Sequence, residues 1–265
     1  TAYMKANFPV EYMTAILTAE SGDVEKIAEI ITECKKMNIE VLPPSINASF
    51  GGFTVIDHAL EQTGKGTIRF GLYTIKNLGT DISDAIITER KNGGKFINIG
   101  DFLDRVKHKN VNKKSLEALI KSGAMDDLGD RGMLFGNIEG MLEYNKEVKK
   151  VSSDQASLFG DMEIASATFS PKNSPEVGKE EKLAWEKELL GLYISGHPLD
   201  KIQEKLENMA FNIKKVFDEV EAEKSVTIAG IIENVRVVMT KKNERMAFIK
   251  LADLTGSIEA VVFPK

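Results

Sequence analysis

Apolar residues spaced three and four positions apart predict two amphipathic helices at the start of the chain, over 2–20 and 22–38. From residue 39 the pattern changes to short apolar runs broken by Pro and Gly, at 39–50, 53–56 and 67–72. Such runs predict a small sheet. Helical periodicity then returns and predicts helices over 81–91, 99–106, 114–122, 131–151, 179–195 and 197–209.

Two stretches depart from helical spacing. Residues 152–178 are rich in Ser, Asp, Ala, Pro and Asn, which is the composition of a solvated connector. From residue 225 the hydrophobic period is two, which predicts strands over 226–240, 246–254 and 257–263. The first of these is long and has Gly230 inside it, as in a strand that bends across a barrel corner.

Composition narrows the class of protein. The 265 residues are 42% hydrophobic and 28% charged, as in ordinary soluble globular proteins. The sequence contains no run of 18 or more apolar residues, so it predicts no membrane-spanning segment. The one cysteine, Cys34, cannot form an intramolecular disulfide, so we expect a reducing compartment and a buried structural thiol. The chain begins with Thr in what reads as mid-helix, so we expect it to be a piece of a larger protein.

The charge is unevenly distributed. Residues 65–122 hold twelve Lys/Arg against six Asp/Glu, a net charge of +6. Because the whole chain has a net charge of −5, the other residues together carry −11. A basic block in an acidic chain is typical of a surface that binds a polyanion, because phosphates attract Lys and Arg and release counterions. A solvated, lysine-rich face explains the charge equally well.

Within the basic block, residues 71–91 (GLYTIKNLGTDISDAIITERK) have the pattern of a helix-hairpin-helix. An apolar helix end at Leu72 and Ile75 is followed by a tight turn and a second amphipathic helix. The turn exposes backbone N–H groups at the start of that helix, which hold a phosphate oxygen without reading a base. The predicted duplex contacts are Lys76, Asn77, Leu78, Gly79 and Thr80. A plain pair of packed helices is the alternative.

Asn77 stands where such a turn usually has its first glycine, and asparagine tolerates a left-handed backbone best after glycine. A second, degenerate copy follows over 99–129, with Asn112, Lys113 and Lys114 as predicted duplex contacts. Two hairpins back to back would touch both strands of a duplex. His108, in the same block, has no cysteine or second histidine at metal spacing, so we expect a surface histidine and assign no metal ligand and no catalytic residue.

Several longer segments of the sequence resemble those of a known family. The segments YMKANFPVEYMTAILT, VLPPSIN, IRFGLYTIKNLG, KSLEALIKSGAMDDLG, EKLAWEKELLGLYISGHPLD and TKKNERMAFIKLADLTGSIEAVVFP are similar to the alpha subunits of bacterial DNA polymerase III, the C-family replicative polymerases. They occur in that family's order and cover almost the whole chain.

The resemblance implies a division into three parts. Residues 1–70 would be the C-terminal part of the fingers domain, and 71–215 the clamp-binding domain, with tandem hairpins at 71–129 and a clamp-binding connector at 152–178. Residues 216–265 would be the start of an OB-fold domain. The expected fold class is mainly α, with a small β element near 39–70 and an incomplete OB-type β barrel at the C-terminus.

The resemblance also gives the connector a role. Family members carry a sliding-clamp-binding peptide of the form Gln-x-x-Leu/Met-Phe, which here would be Gln155, Ala156, Ser157, Leu158 and Phe159. The chemistry of these residues fits clamp binding independently of the family. A polar-flanked segment can present a Leu-Phe pair to an apolar pocket, while the glutamine amide forms hydrogen bonds at the rim of that pocket. In the alternative, the pair packs onto the protein's own helices.

An OB fold has five strands, and the connection between its first two often touches single-stranded nucleic acid. In this sequence the candidates for that contact are Arg236, Lys241, Lys242, Arg245 and Phe248. Phe248 is equally well explained as a core residue.

The implied function is part of DNA-templated DNA synthesis by a nucleotidyltransferase. The implied partners are the sliding clamp (the beta subunit), primer-template DNA and other replisome subunits, including the associated 3′–5′ exonuclease, in the bacterial cytoplasm. Mg²⁺ is expected at the palm of the parent protein and no cofactor in this chain, so the chain alone is expected not to polymerise DNA. Neither Asp126-Asp127 nor the Asp81/Asp84 pair is assigned a metal. A non-polymerase repair module with tandem hairpins and an OB fold, or hairpins that serve only packing, are the alternatives.

Overall fold

The computed structural model describes residues 1–56, 66–154, 169–221 and 223–264, which fall into two compact units, Thr1–Ser195 and Gly196–Lys265. The first unit contains, in chain order, α1 (Ala2–Asn7), α2 (Pro9–Ala19), α3 (Val24–Lys36), β1 (Glu40–Leu42), β2 (Thr54–Val55), β3 (Thr67–Arg69), α4 (Thr80–Gly93), α5 (Ile99–Arg105), α6 (Lys113–Lys121), α7 (Arg131–Gly136), α8 (Ile138–Asp154) and α9 (Lys179–Leu190).

The single helix expected over 2–20 is divided in two. Pro9 cannot donate a backbone hydrogen bond, so it begins α2, and Phe8 before it leaves helical geometry with φ −134°.

The amphipathic helix predicted over 22–38 is present as α3, with Ile27, Ile31 and Cys34 buried on one face. The predicted burial of the Cys34 thiol is confirmed, and this burial raises its pKa to about 11.

The small sheet predicted near 39–70 is present. Its strand order is β1-β3-β2, with β3 parallel to β1 and antiparallel to β2. Ile68 at the centre of β3 lies opposite both Val41 and Val55 and is fully buried. The sheet and the helices that follow share one hydrophobic core, in which Phe70 and Phe102 are among the largest fully buried side chains.

The helix predicted over 131–151 is also two helices, α7 and α8, separated by Asn137. Asn137 leaves helical geometry with φ −103° and ψ 6°, and its side-chain nitrogen donates to the carbonyl oxygen of Met133 at 2.8 Å. Short polar side chains that bond nearby backbone groups interrupt helices in this way. The sequence periodicity continues through the break, so it did not reveal it.

The second unit contains a 3₁₀ turn (Pro198–Ile202), α10 (Gln203–Glu207), α11 (Ile213–Glu219), β4 (Ile231–Met239), β5 (Arg245–Ala252) and β6 (Ser257–Val262). The strands form one antiparallel sheet in the order β4-β5-β6. The prediction that Gly230 lies inside the first strand is wrong: β4 begins one residue later, and a β-bulge falls between Ile232 and Asn234. Gly230 passes so close to Ala252 that a Cβ there would lie 2.6 Å from its carbonyl oxygen.

Two helical details of this unit were not predicted. The helix expected over 197–209 is a 3₁₀ turn followed by a single short α-helix, and α11 was not expected. Asn212 caps α11 by accepting a hydrogen bond from the Lys215 N–H at 2.8 Å.

The fold class is confirmed: the chain is mainly helical, with a small mixed sheet and a three-stranded antiparallel sheet consistent with an incomplete OB fold. The three functional domain boundaries stay a prediction. Among the described residues, no helix combines the length and the apolar character needed to cross a membrane.

Candidate nucleic-acid interface

The first hairpin turn, residues 75–80, connects a 3₁₀ turn (Leu72–Thr74) to α4. The expectation of a full helix ending at Leu72–Ile75 is wrong. The chain arrives there directly from β3, and Gly71 between them is extended with φ −85° and ψ 152°, so only one tight turn precedes the hairpin.

Asn77 in this turn adopts φ 69°, the left-handed geometry that the sequence predicted for it. Leu78 points inward and is buried, whereas Lys76, Gly79 and Thr80 are exposed. Gly79 is the N-cap of α4 without a side-chain capping bond, and a Cβ added there would meet nothing within 4 Å. The start of α4 is therefore open, and its first amides have no intrahelical acceptors.

Not every group in the first turn is available to a ligand. The Lys76 N–H donates to the carbonyl oxygen of Leu189 in α9 at 3.0 Å, so this residue can offer only its side-chain ammonium. The Leu78 N–H donates to the carbonyl oxygen of Ile75 at 3.1 Å. The surface offered by the turn consists of the Lys76 side chain, the Thr80 hydroxyl and the start of α4.

The second hairpin turn, residues 106–112, leads into α6. Asn112 caps α6: its side-chain oxygen accepts from the Ser115 N–H at 3.1 Å, and the Ser115 hydroxyl accepts from the Asn112 N–H at 3.0 Å. His108 shapes the turn, because its Nδ1 accepts from the Asn110 N–H at 3.2 Å. Asn112 is exposed, but its side chain is already used as a cap.

The predicted lysines of the second turn differ in their surroundings. Lys113 forms an ion pair with Glu139 of α8 at 2.9 Å, and this hydrogen bond raises the pKa of the lysine and lowers that of the glutamate. Lys114 is exposed. Lys107 and Lys109 are exposed in the same turn. They are not among the predicted duplex contacts, although the basic run KHKN indicates them.

The two hairpin turns lie next to each other. The side-chain nitrogen of Asn110, in the second turn, is 3.4 Å from Oδ2 of Asp81, in the first turn of α4. This contact joins positions 29 residues apart and brings the exposed cations of both turns to one part of the surface. Neighbouring helix starts with cations beside them suit two phosphates of a polyanion.

The carboxylates that the sequence singled out all have protein partners. Asp126 pairs with Arg131, Asp127 accepts from the Ser45 hydroxyl at 2.7 Å, and Asp84 accepts from the Tyr73 hydroxyl. These partners suit structural roles and not the open oxygen ligands that Mg²⁺ requires. Across the described ranges, no cluster of three or more His, Cys, Asp or Glu side chains could hold a metal ion.

In the second unit, Arg236 on β4 lies directly opposite Phe248 on β5, with its guanidinium carbon 4.8 Å from the ring centroid. Phe248 is half-buried. Lys241 and Lys242 are exposed in the tight turn between the two strands. Arg245 pairs with Met239, and strand alternation places this pair on the other face of the sheet. The five single-strand candidates therefore do not share one face.

The predicted clamp-binding residues Gln155–Phe159 lie outside the described residues. α8 ends at Asp154, directly before them, and the chain after them contacts α8 and Asn137. After the segment, Phe169 packs on Tyr144 with 5.7 Å between ring centroids. Asn137 holds Lys172 by both backbone groups: its nitrogen donates to the lysine carbonyl at 2.7 Å, and its oxygen accepts from the lysine N–H at 2.8 Å.

Comparisons with known proteins match both units. A family model described as a helix-hairpin-helix motif matches residues 38–134, and one described as an OB-fold nucleic acid binding domain matches residues 226–265. Both models coincide with the elements described above: the paired turns and the antiparallel sheet.

Curated relatives match the chain along its length. The DNA polymerase III subunit alpha of Campylobacter jejuni is 40% identical over 268 residues, and that of Borreliella burgdorferi is 40% identical over 271 residues; each match covers 99% of this chain. The subunit of Thermus aquaticus is 36% identical over 267 residues, again 99% of this chain. The chain spans about a fifth of the length of these relatives, namely 22%, 23% and 21%.

Proposed function

The chain belongs to the DNA polymerase III alpha subunit family, and on that premise we propose that it holds DNA for a replicative polymerase by gripping the sugar-phosphate backbone of a duplex. The observation that carries the proposal is the contact of the second hairpin turn with the start of α4, Asn110 to Asp81, which brings two helix starts together. A backbone grip of this kind is independent of sequence.

The chemistry of this proposed contact with duplex DNA, which we call the duplex grip, follows from the groups that the two hairpin turns expose. Lys76 and Lys114 supply unpaired charge in the described surface, and the open start of α4 supplies backbone amides beside the Thr80 hydroxyl. Lys113 would exchange its partner, because a phosphate oxygen can replace the exposed carboxylate of Glu139. No base-reading side chain is needed, as a polymerase must hold any sequence.

The test is a salt titration of duplex binding with the full 265-residue chain. Lys76→Glu and Lys114→Glu should each weaken binding equally for unrelated sequences and flatten the salt dependence by about one phosphate contact. Lys36→Glu, an exposed lysine at the end of α3, is the matched control and should change little. Loss of affinity for one sequence only, or equal loss in the control, would contradict a backbone grip.

We also propose that residues 155–159 bind the sliding clamp and so give processivity. The support is the Gln-x-x-Leu-Phe pattern together with the anchoring of the chain that follows it, by Phe169 on Tyr144 of α8 and by Lys172 on Asn137. Anchors of this kind limit how far a bound peptide can separate from the duplex grip. The affinity of one short peptide should be modest, on the order of micromolar.

The second unit is proposed to contact single-stranded DNA, with the exposed Lys241 and Lys242 meeting phosphates and the Arg236–Phe248 pair offering a surface for a base. Polymerisation itself, with its Mg²⁺ at palm carboxylates, and the contacts with other replisome subunits are proposed for the parent protein. The repair-module alternative lacks support, since the relatives matched along the whole chain are polymerase subunits.

A further inference from the structure

Two exposed aromatic rings lie beside the first hairpin turn, those of Phe50 and Tyr73, which we call the aromatic platform. The two residues are 44% and 42% exposed. Two backbone hydrogen bonds of 2.9 Å hold the segments together: Leu72 N–H donates to the Phe50 carbonyl oxygen, and Tyr73 N–H donates to that of Gly51. Both rings are therefore carried on a fixed backbone.

The Tyr73 ring rests directly on Gly51. A Cβ added to this glycine would lie 2.4 Å from Cε2 and 2.5 Å from Cζ of the tyrosine, so the ring occupies the space that any larger residue would need. At its far end, the tyrosine hydroxyl donates to Asp84 of α4. The ring is thus held at both ends while much of it remains open to solvent.

Cations surround the Phe50 ring. The guanidinium carbon of Arg90 is 5.3 Å and the Nζ of Lys91 is 5.7 Å from the ring centroid. Arg90 is fixed in turn, because it donates to the carbonyl oxygen of Ile46 at 2.7 Å. The platform therefore combines exposed aromatic surface with positive charge, which is the combination that binds single-stranded nucleic acid.

The platform adjoins the duplex grip. Tyr73 is three residues before Lys76, and its partner Asp84 is four residues, about 6 Å of helix, after Thr80 at the start of α4. The rings are therefore placed to contact an unpaired strand that continues from a gripped duplex. The cations favour this occupant over an uncharged peptide.

We infer that the aromatic platform stacks unpaired nucleobases of single-stranded DNA next to the duplex; this inference rests on the proposed duplex grip. The probe is a blunt duplex compared with the same duplex carrying a single-stranded overhang, with binding measured by fluorescence anisotropy. The wild-type chain should prefer the overhang substrate, and the platform variants should lose that preference while they keep their affinity for the blunt duplex.

Gly51→Ala is the sharpest variant, because it retains both rings and displaces only the Tyr73 ring. Phe50→Leu retains apolar volume but removes the aromatic face. Each should weaken binding of the overhang substrate by about five-fold or more. Tyr3→Ala, which removes a ring that is 70% exposed on α1, is the control and should leave the preference intact. Thermal melts check that each variant is folded.

The outcomes separate this inference from the proposed function. A preference that persists in both platform variants, or that is lost only in Lys241→Glu with Lys242→Glu, overturns the inference and leaves the duplex grip standing. If the wild-type chain binds no blunt duplex, the proposed function fails. The inference is then judged alone, from the fluorescence of a 2-aminopurine in a single strand: quenching lost in Phe50→Leu supports it, and unchanged or absent quenching overturns it.

Discussion

Arg131 and Glu186 form an ion pair inside the first unit, with 2.9 Å between Nη1 and Oε1 and with only 6% and 1% of their side chains exposed. The other guanidinium nitrogens of Arg131 donate to Asp126 at 2.8 Å. The second carboxylate oxygen of Glu186 accepts from the N–H groups of Ile194 and Ser195, each at 2.9 Å. The pair thus ties α7 to α9 and to the chain that follows α9.

Breaking this pair should be strongly destabilising. Arg131→Met leaves the Glu186 carboxylate buried without its cation, so we expect it to lower the free energy of unfolding by about 3–5 kcal/mol. Chemical denaturation measures the change. In the double variant Arg131→Met/Glu186→Leu the loss should be smaller than the sum of the two single losses. Additive losses would mean that the two charges do not interact.

The left-handed turn at Asn77 gives a matched pair of variants. Asn77→Ala places a Cβ-bearing residue without a polar side chain at φ 69°, and we expect a loss of about 1 kcal/mol of stability. Asn77→Gly should be close to neutral, because glycine adopts this conformation freely. Thermal melts of the two proteins decide between these outcomes, and a destabilised glycine variant would show that the asparagine side chain itself is required.

Asp130 provides a pH-dependent contribution to stability. Its pKa is lowered, first by the hydrogen bond from Lys182 and further by the N–H groups of Gly132 and Met133 at the start of α7. Because the folded pKa is below the unfolded one, its contribution is complete above the ordinary Asp pKa of about 4 and is lost as the pH falls through the lower folded value.

Asp130→Ala should therefore lower stability by about 1 kcal/mol at neutral pH, as removal of an N-cap usually does, and by less in strong acid. Asp130→Asn keeps a capping oxygen but loses the negative charge that pairs with Lys182. Its loss of stability should therefore be smaller than that of Asp130→Ala and should come from the ion pair alone. Unfolding followed across acid pH is the measurement. An alanine penalty that does not change with pH would contradict a role for the carboxylate charge.

The connector motif predicts a separable defect. Replacing Leu158 and Phe159 with Ala should abolish binding to a bacterial sliding clamp and leave the melting temperature almost unchanged. Surface plasmon resonance with immobilised clamp, together with a thermal melt, gives both quantities. Met162→Ala, an apolar change in the same connector, is the control. A large fall in melting temperature would place the Leu-Phe pair in the protein's own core.

The hydrophobic pattern predicted much of the architecture because most elements bury one regular face. Ile27, Ile31 and Cys34 on α3, and Leu116, Leu119 and Ile120 on α6, follow helical spacing and are buried. The pattern failed where the backbone is interrupted without a change in hydrophobicity. At Asn137 a polar side chain breaks one helix into two, and at Leu72 a residue with helical spacing lies in a 3₁₀ turn.

The candidate site was only partly predictable from the sequence, because local motifs do not contain the contacts between distant elements. A local motif gave the left-handed Asn77 and the exposed Lys76. The Asn110–Asp81 contact and the Lys113–Glu139 pair depend on how distant helices pack, which no local spacing contains. The assignments of individual DNA-binding and clamp-binding residues stay predictions, and the Leu158–Phe159 peptide lies outside the described residues.

Asn137 has a consequence for how the family's sequences can vary. Its two hydrogen bonds to the backbone of Lys172 fix the position at which the chain returns to the junction of α7 and α8, whatever the length of chain between Asp154 and Lys172. Residues can therefore be gained or lost in the intervening stretch without altering the register of the flanking structure. Insertions and deletions there would change only the length of chain that carries the proposed clamp-binding residues, while the rest of the fold is preserved.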